Sequence, residues 1–256
     1  MPACPAKDGV YNTIVTPRFF IPPAFAALAA GARIALPDSA AHHAARVLRL
    51  TAGDAVTLFD GRGGEYSAVI TLASRQVDVK LSAFDAVERE GPFPVELVQG
   101  ISSGDRMDFT VQKAVELGAA AIRPVISERS VVKLAGERAE KRVAHWQQIA
   151  IAACEQCGRN RVPEVHPIQA LDRFLSEPGA ALRLMLTPRA GTLLRSLGKP
   201  VTAVQLLIGP EGGFSDGEER AAMATGYMAV NLGLRVLRTE TAALGALAAM
   251  SALWEG

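Results

Sequence analysis

Cysteine is scarce in this chain: three residues in 256, Cys4, Cys154 and Cys157. An odd, sparse set builds no disulfide framework, which excludes a small secreted scaffold and points to a reducing, cytoplasmic setting. Charge of one sign is lacking too, because 27 Lys and Arg nearly balance 26 Asp and Glu, for a formal net charge of +1. No whole-molecule field of the histone kind follows, so any nucleic-acid site must be a local patch. Long hydrophobic runs are also missing. The longest, residues 241–254, has the length of a buried core helix and falls short of the roughly 20 residues a bilayer span needs, so no membrane contact is expected. Residues 1–17 mix Pro, Asp, Lys and Thr without an apolar stretch and read as a loose leader, not a signal peptide or anchor. Two nucleotide-binding grammars are absent: no Gly-x-Gly-x-x-Gly follows an early strand, and no Gly-x-x-x-x-Gly-Lys-Ser/Thr occurs. Dinucleotide dehydrogenases and P-loop enzymes are thereby disfavoured.

The chain has an apolar fraction of 49%, enough for real cores in two domains. Residues 18–90 carry the marks of a small β domain, with short Val, Leu, Ile and Phe-rich runs at 55–59, 65–72 and 77–84. The glycines of Asp60-Gly-Arg-Gly-Gly64 suit a tight turn between the first two. Ahead of them, residues 39–50 predict a helix with Ser39 as N-cap and Val47, Leu48 and Leu50 toward the core. Around Glu90-Gly-Pro-Phe-Pro94 the grammar changes, and residues 91–256 alternate strands (95–101, 122–126, 182–186, 204–208, 228–232) with helices (105–117, 137–157 and one after each later strand). Such alternation predicts an α/β domain with a mostly parallel sheet covered on both faces.

Two segments concentrate the chemistry. In Val204-Gln-Leu-Leu-Ile-Gly-Pro-Glu-Gly-Gly213 a buried strand runs into glycines and then a helix capped by Ser215 or Asp216. Strand ends of this type are where α/β sheets bind ligands, and glycines let the backbone approach one closely. An ordinary strand-to-helix turn is the plain alternative. In Asn231-Leu-Gly-Leu-Arg-Val-Leu-Arg-Thr-Glu-Thr241 another strand end precedes a helix, here with Thr239 as N-cap; Leu232, Leu234 and Leu237 are placed to wall an apolar slot. Cys154-x-x-Cys157 has no second pair to complete four zinc ligands, and His145 and His166 lack ligand-spaced partners, so no metal is expected.

Together these segments resemble the cofactor signature of the RsmE family, the small-subunit ribosomal RNA uridine-N3 methyltransferases of the SPOUT superfamily. The likeness continues upstream in order through Arg18-Phe-Phe20, His42-His43 with Val47-Leu-Arg49, Gly104-Asp-Arg-Met107, Gln112-Lys-Ala-Val-Glu-Leu-Gly118, Ser127-Glu-Arg-Ser130 and Ala153-Cys-Glu-Gln-Cys-Gly-Arg-Asn160. It covers essentially everything after residue 17. The resemblance implies a PUA-like β-barrel followed by a SPOUT domain with a trefoil knot, a topology rare among folds that periodicity cannot reveal. It also implies a homodimer, S-adenosylmethionine (SAM) as cofactor, and N3 of a uridine in 16S ribosomal RNA of the small subunit as acceptor. Related knots include ribose 2′-O-methyltransferases of transfer or ribosomal RNA, and a non-catalytic RNA-binding assembly factor that retains the pocket is a further alternative. Leu234 stands where relatives commonly carry proline.

By position, cofactor contacts carry over to Leu186, Thr187 and Pro188, to Ile208, Gly209, Pro210, Glu211, Gly212 and Gly213, and to Leu232, Gly233, Leu234, Leu237, Arg238, Thr241 and Ala242. On the acceptor side, Arg238 and Arg159 are candidates to favour the uridine anion, with Glu240 or Glu155 as proton acceptor. For RNA, His43, Arg46 and Arg49 lie three residues apart on the early helix; Arg18, Arg106, Arg129 and Arg161 add charge. A reaction at N3, on the pairing edge of uridine, needs an unpaired or extruded base.

Overall fold

The computed structural model describes residues 16–73, 76–132, 134–179 and 182–255. The expected leader lies almost wholly outside the described residues, as does Cys4. Contacts divide the chain into two compact units, Met1–Val87 and Glu88–Gly256.

The first unit contains β1 (Arg18–Phe20), β2 (Arg33–Ala35), α1 (Asp38–His42), β3 (Ala55–Phe59), β4 (Glu65–Ala73) and β5 (Val77–Asp85). The strands form one sheet in the order β1-β3-β4-β5-β2, antiparallel except for the parallel β1/β3 pair. Alternation sets its inner face: Val77, Val79 and Leu81 are buried while Lys80 points outward. These residues pack with Phe19, Ile21, Leu58 and Ile70 into a single core. The predicted helix over 39–50 takes a different form. It starts at Asp38 after Pro37, so Ser39 lies inside it, and it passes at His43 into a π-helical turn that ends at Val47. The wider turn changes the phase of the side chains. Ala40, Ala41 and Ala44 face the core and Leu50 packs beside them, whereas Val47 and Leu48 are 62% and 40% exposed. Small alanines, not the larger residues, let this segment lie close on the sheet.

The second unit contains β6 (Val95–Gly100), α2 (Asp105–Glu116), β7 (Ala119–Ile126), α3 (Glu137–Cys157), β8 (Glu164–Val165), β9 (Gln169–Ala170), α4 (Leu171–Leu175), β10 (Leu182–Leu186), β11 (Thr192–Leu193), β12 (Val204–Ile208), α5 (Asp216–Ala224), β13 (Met228–Asn231) and α6 (Thr239–Trp254). Every pairing in its sheet is parallel, in the order β11-β13-β10-β12-β6-β7-β8, with β9 also on β7. Both faces are covered, so consecutive strand residues are buried: Val98, Met185 and Leu207 pack with α4 and α5, and their neighbours Leu97, Leu184 and Leu206 are buried on the other side. One expectation fails here. No α-helix follows β10; Pro188 and Gly191 turn the chain into the short β11 and a 3-10 turn at Leu194–Ser196.

The strand order dictates an unusual path. β13 sits between β10 and β11, yet α6, which follows it, starts against β6. Residues 232–238 must therefore cross the ends of β10 and β12, a span of about 14 Å at the usual strand spacing. A buried hydroxyl anchors the far end. Thr239 is not the helix N-cap, which is Arg238; its Oγ1 instead accepts from Gln99 Nε2 at 2.8 Å and donates to the Gly209 carbonyl at 2.5 Å. Removing this hydroxyl leaves a buried carbonyl without its donor, so Thr239→Val is expected to cost about 1–3 kcal/mol by urea denaturation. Gln99→Leu added on that background should cost clearly less than alone, because the two side chains share one interaction.

Candidate functional site

Three loops meet at the C-terminal ends of β10, β12 and β13 and enclose a cleft of about 410 Å³. The first loop contributes Leu186, Thr187 and Pro188; the second runs from Ile208 through Gly209, Pro210, Glu211, Gly212 and Gly213 to Phe214. From the third come Leu232, Gly233, Arg235, Val236, Leu237 and Arg238, with Thr239, Glu240 and Ala242 from the first turn of α6. Leu234 and Thr241, expected among the contacts, do not line the cleft. Leu234 is fully exposed at the tip of its loop, and Thr241 faces solvent on α6.

Each loop is tied to a neighbour by polar contacts that its sequence supplies. Ser215 caps α5 in a reciprocal box with Glu218, whose other oxygen accepts the Glu128 amide at 2.7 Å. Arg129 donates to the carbonyls of Gly212 and Phe214, both at 3.1 Å. Glu211 accepts from the Ser103 amide and hydroxyl at 2.8 Å and from Arg106 at 2.9 Å. Partial burial opposes ionisation of Glu211, but these donors outweigh it and hold the carboxyl below the usual carboxylate range. Asn231 donates to the Ala190 carbonyl and accepts from the Gly233 amide at 2.9 Å, so one side chain fastens the third loop to the first. Beneath the second loop there is no room for a side chain. A Cβ on Gly100 would lie 2.5 Å from the Pro210 nitrogen, which is why β6 ends in glycine.

The acidic and basic groups of the cleft differ in their partners. Thr187 donates to Glu219 at 3.1 Å, and Arg189 bridges Glu219 at 2.9 Å and Asp216 at 2.6 Å. Glu240 has one oxygen buried with no hydrogen-bond partner. Arg235 and Arg238 are exposed and have no ion pair among the described residues. Glu219, Asn231, Phe214 and Val236 are cleft residues that sequence reasoning missed. Asn231 two residues before Gly233 was a legible turn signal; Glu219 read only as an acid behind a helix cap.

Two acceptor-side candidates sit elsewhere. Arg159 is 4% exposed, bonded bidentately to Glu90 and donating to the carbonyls of Val115 and Ala119, so its fork braces the end of α2 instead of reaching the cleft. Glu155, in the last turn of α3, does not line the cleft either. The RNA candidates are also dispersed. Arg18 is nearly buried on Glu65, Arg161 pairs with Glu88 at 3.4 Å, Arg106 sits in the cleft on Glu211, and Arg129 clamps the second loop. His43, Arg46 and Arg49 are exposed, but the π turn and the positive φ of Arg49 (55°) take them off a single helical face, and the His43 ring meets Phe19 edge-on.

The sequence matches the family described as RNA methyltransferase domain over residues 89–251, and that described as RNA methyltransferase PUA domain over residues 36–82. Ribosomal RNA small subunit methyltransferase E of Bacillus subtilis is 32% identical over 82% of this chain and 86% of its own length. That of Synechocystis is 32% identical over 88% of this chain and 74% of its own. Among solved structures, the ribosomal RNA small subunit methyltransferase E of Neisseria gonorrhoeae bound to S-adenosyl methionine superposes with a TM-score of 0.86 at 43% identity, covering 93% of this chain and 98% of that one. A putative methyltransferase of Legionella pneumophila with bound SAM gives 0.88 at 41% identity, covering 93% and 97%.

The placement of Arg159 yields a sharp expectation. Arg159→Ala strands the Glu90 carboxylate and two carbonyls, which should cost about 3–5 kcal/mol of stability, read from chemical denaturation. The affinity of the folded fraction for a cleft ligand should change by less than about twofold, since distant sites add independently.

Proposed function

This chain belongs to the RNA methyltransferase family, among the ribosomal RNA small subunit methyltransferase E proteins, and from that premise we propose that it transfers a methyl group from SAM to N3 of a uridine in 16S ribosomal RNA. The observation that carries this reading is the three-loop cleft at the C-terminal ends of parallel strands, the place where α/β sheets hold nucleotides.

The residues present fit the cofactor. A cleft of about 410 Å³ falls in the size range of small-molecule sites. Leu186, Ile208, Leu232 and Leu237 offer apolar walls for adenine, and the glycines of the second loop expose backbone polar groups. Of the three carboxylates in the lining, Glu211 and Glu219 are paired with arginines, and Glu240, with no ion pair among the described residues, is the one that suits a cation. When bound, SAM supplies an electrophilic methyl group. The protein's own task is to hold that carbon in line with the acceptor and to make the acceptor nucleophilic.

A uridine N3–H must lose its proton for its nitrogen to attack, and charge then gathers on the flanking carbonyl oxygens. Arg238, at the cleft and without an ion pair among the described residues, is the donor that would stabilise those oxygens. Glu240, a carboxylate in the cleft lining, is the candidate to take the proton. Arg159 and Glu155 drop out of this assignment. The RNA path draws on exposed groups: His43, Arg46 and Arg49 in the first unit, and Arg235 and Arg106 at the cleft of the second. The crossing of residues 232–238 over the strand ends supports a threaded, trefoil-knotted SPOUT topology. A homodimer acting on the small ribosomal subunit in the cytoplasm completes the proposal. Among the described residues, no helix is long and apolar enough to cross a membrane and no group of three or more His, Cys, Asp or Glu is placed to hold a metal ion.

The decisive experiment supplies SAM with a labelled methyl group to small subunits lacking native modification and locates the label by nucleoside mass spectrometry. N3-methyluridine is the expected product; label on a ribose oxygen would discard the base-methylating assignment. Arg238→Ala and Glu240→Gln should each lower kcat by about 10²–10⁴-fold. Near-normal turnover removes either residue from the chemistry.

A further inference from the structure

Glu219 lies in the first turn of α5, and its side chain, 15% exposed, lines the cleft. Each of its oxygens is held by one donor: Oε1 by the Thr187 hydroxyl at 3.1 Å and Oε2 by Arg189 Nη2 at 2.9 Å. A carboxylate oxygen has two lone-pair directions, so each keeps capacity for one further donor.

The other acids of the cleft are differently engaged. Oε1 of Glu211 already takes three donors, two from Ser103 and one from Arg106. Glu240 has a buried oxygen with no donor and no ion pair. A cationic ligand group is best placed against a carboxylate whose charge is not yet compensated, because a guanidinium already 2.9 Å from the oxygen repels a second cation. Glu219 is compensated by Arg189, so the ligand groups that suit it are neutral hydroxyls. An acid that accepts from ribose hydroxyls at a strand end is an established solution for nucleoside recognition in α/β sheets.

We propose that Glu219, held by Thr187 and Arg189, is the specificity residue that accepts hydrogen bonds from the vicinal ribose hydroxyls of the adenosyl ligand, so that the cleft selects a ribonucleoside over its 2′-deoxy form. This rests on the SAM reading given above. Thr187 and Arg189 act as positioning residues: they fix the carboxylate without touching the ribose.

The test is calorimetric titration of the full chain with S-adenosylhomocysteine, which has the same adenosyl ribose and no transferable methyl, and with its 2′-deoxy analogue. The unaltered protein should prefer the ribo form by on the order of tenfold or more, since a site built to bond a hydroxyl rejects the analogue lacking it. Glu219→Gln should weaken the ribo ligand about tenfold, weaken the 2′-deoxy ligand less, through its remaining 3′-hydroxyl, and so erase most of the preference. Arg189→Met, which loosens the carboxylate, should weaken the ribo ligand more than the 2′-deoxy ligand and lower the preference part of the way. Three results overturn the proposal while leaving the SAM reading intact: no preference in the unaltered protein, a preference that survives Glu219→Gln, or an undiminished preference in Arg189→Met. The first of these is read on the native chain and holds even if a variant folds poorly. Failure of the unaltered protein to bind either ligand overturns the SAM reading and this proposal together.

Discussion

One buried hydroxyl holds the geometry of the cleft together. Thr239 Oγ1 accepts a hydrogen bond from Gln99 on β6 and donates one to the Gly209 carbonyl at the end of β12, so a single oxygen joins the start of α6 to two different strands. Gln99 and Thr239 are both buried, and a hydrogen bond in that environment is costly to leave unmade. The link therefore fixes where the crossing segment 232–238 ends. Asn231 fixes where it begins, by bonding Ala190 on the first loop and Gly233 on the third. With both ends pinned, the stretch between them carries exposed side chains: Leu234 away from the cleft, and Val236 and the two arginines in its lining.

Much of this was legible in the sequence because the signals are local. Strands 182–186 and 204–208 and the helix 137–157 have the bounds their apolar runs and flanking glycines predict. The glycine-rich loop and the segment after Asn231 fall at one end of the sheet because strands that share a parallel sheet end on the same side. What stayed illegible depends on partners distant in sequence. Val47 and Leu48 are apolar and helical in period, yet a π turn rotates them outward and three alanines take their place. Arg159 lies in a stretch of polar motif residues, and only the packing shows its guanidinium closed around Glu90 and the α2 terminus. Thr239 has the residue type of an N-cap, but its hydroxyl satisfies a carbonyl 30 residues away instead of its own helix.

Arginine use explains how a chain of nearly zero net charge can still serve an anionic polymer. Most arginines of the second unit are consumed internally: Arg129 on loop carbonyls, Arg189 on two carboxylates, Arg123 on Glu96 and Arg183 on the Thr225 carbonyl. These contacts use the planar fork of the guanidinium to join loops, a task a lysine would do less well. Arg235 and Arg238 stand apart at the cleft, where their charge is not cancelled by an ion pair among the described residues. Uncompensated positive charge thus stands at the place where the proposed reaction occurs, and the total charge says little about it.

The two ends of the second sheet show why only one of them suits a ligand. At the N-terminal end, Glu96 accepts from Arg123 at 2.9 Å and from Gln205 at 2.7 Å, and Gln205 in turn accepts from the Tyr227 hydroxyl at 3.1 Å. Burial raises the Tyr227 phenol well above its ordinary range, so it remains a neutral donor and this chain of bonds stays closed. At the C-terminal end, the glycines leave backbone exposed at the cleft, and Glu219 keeps acceptor capacity after its two clamps. Unspent hydrogen-bonding capacity in a cavity is an affinity for something polar. A ligand carrying hydroxyls meets it at the cleft, whereas the polar side chains named at the other end are spent on one another.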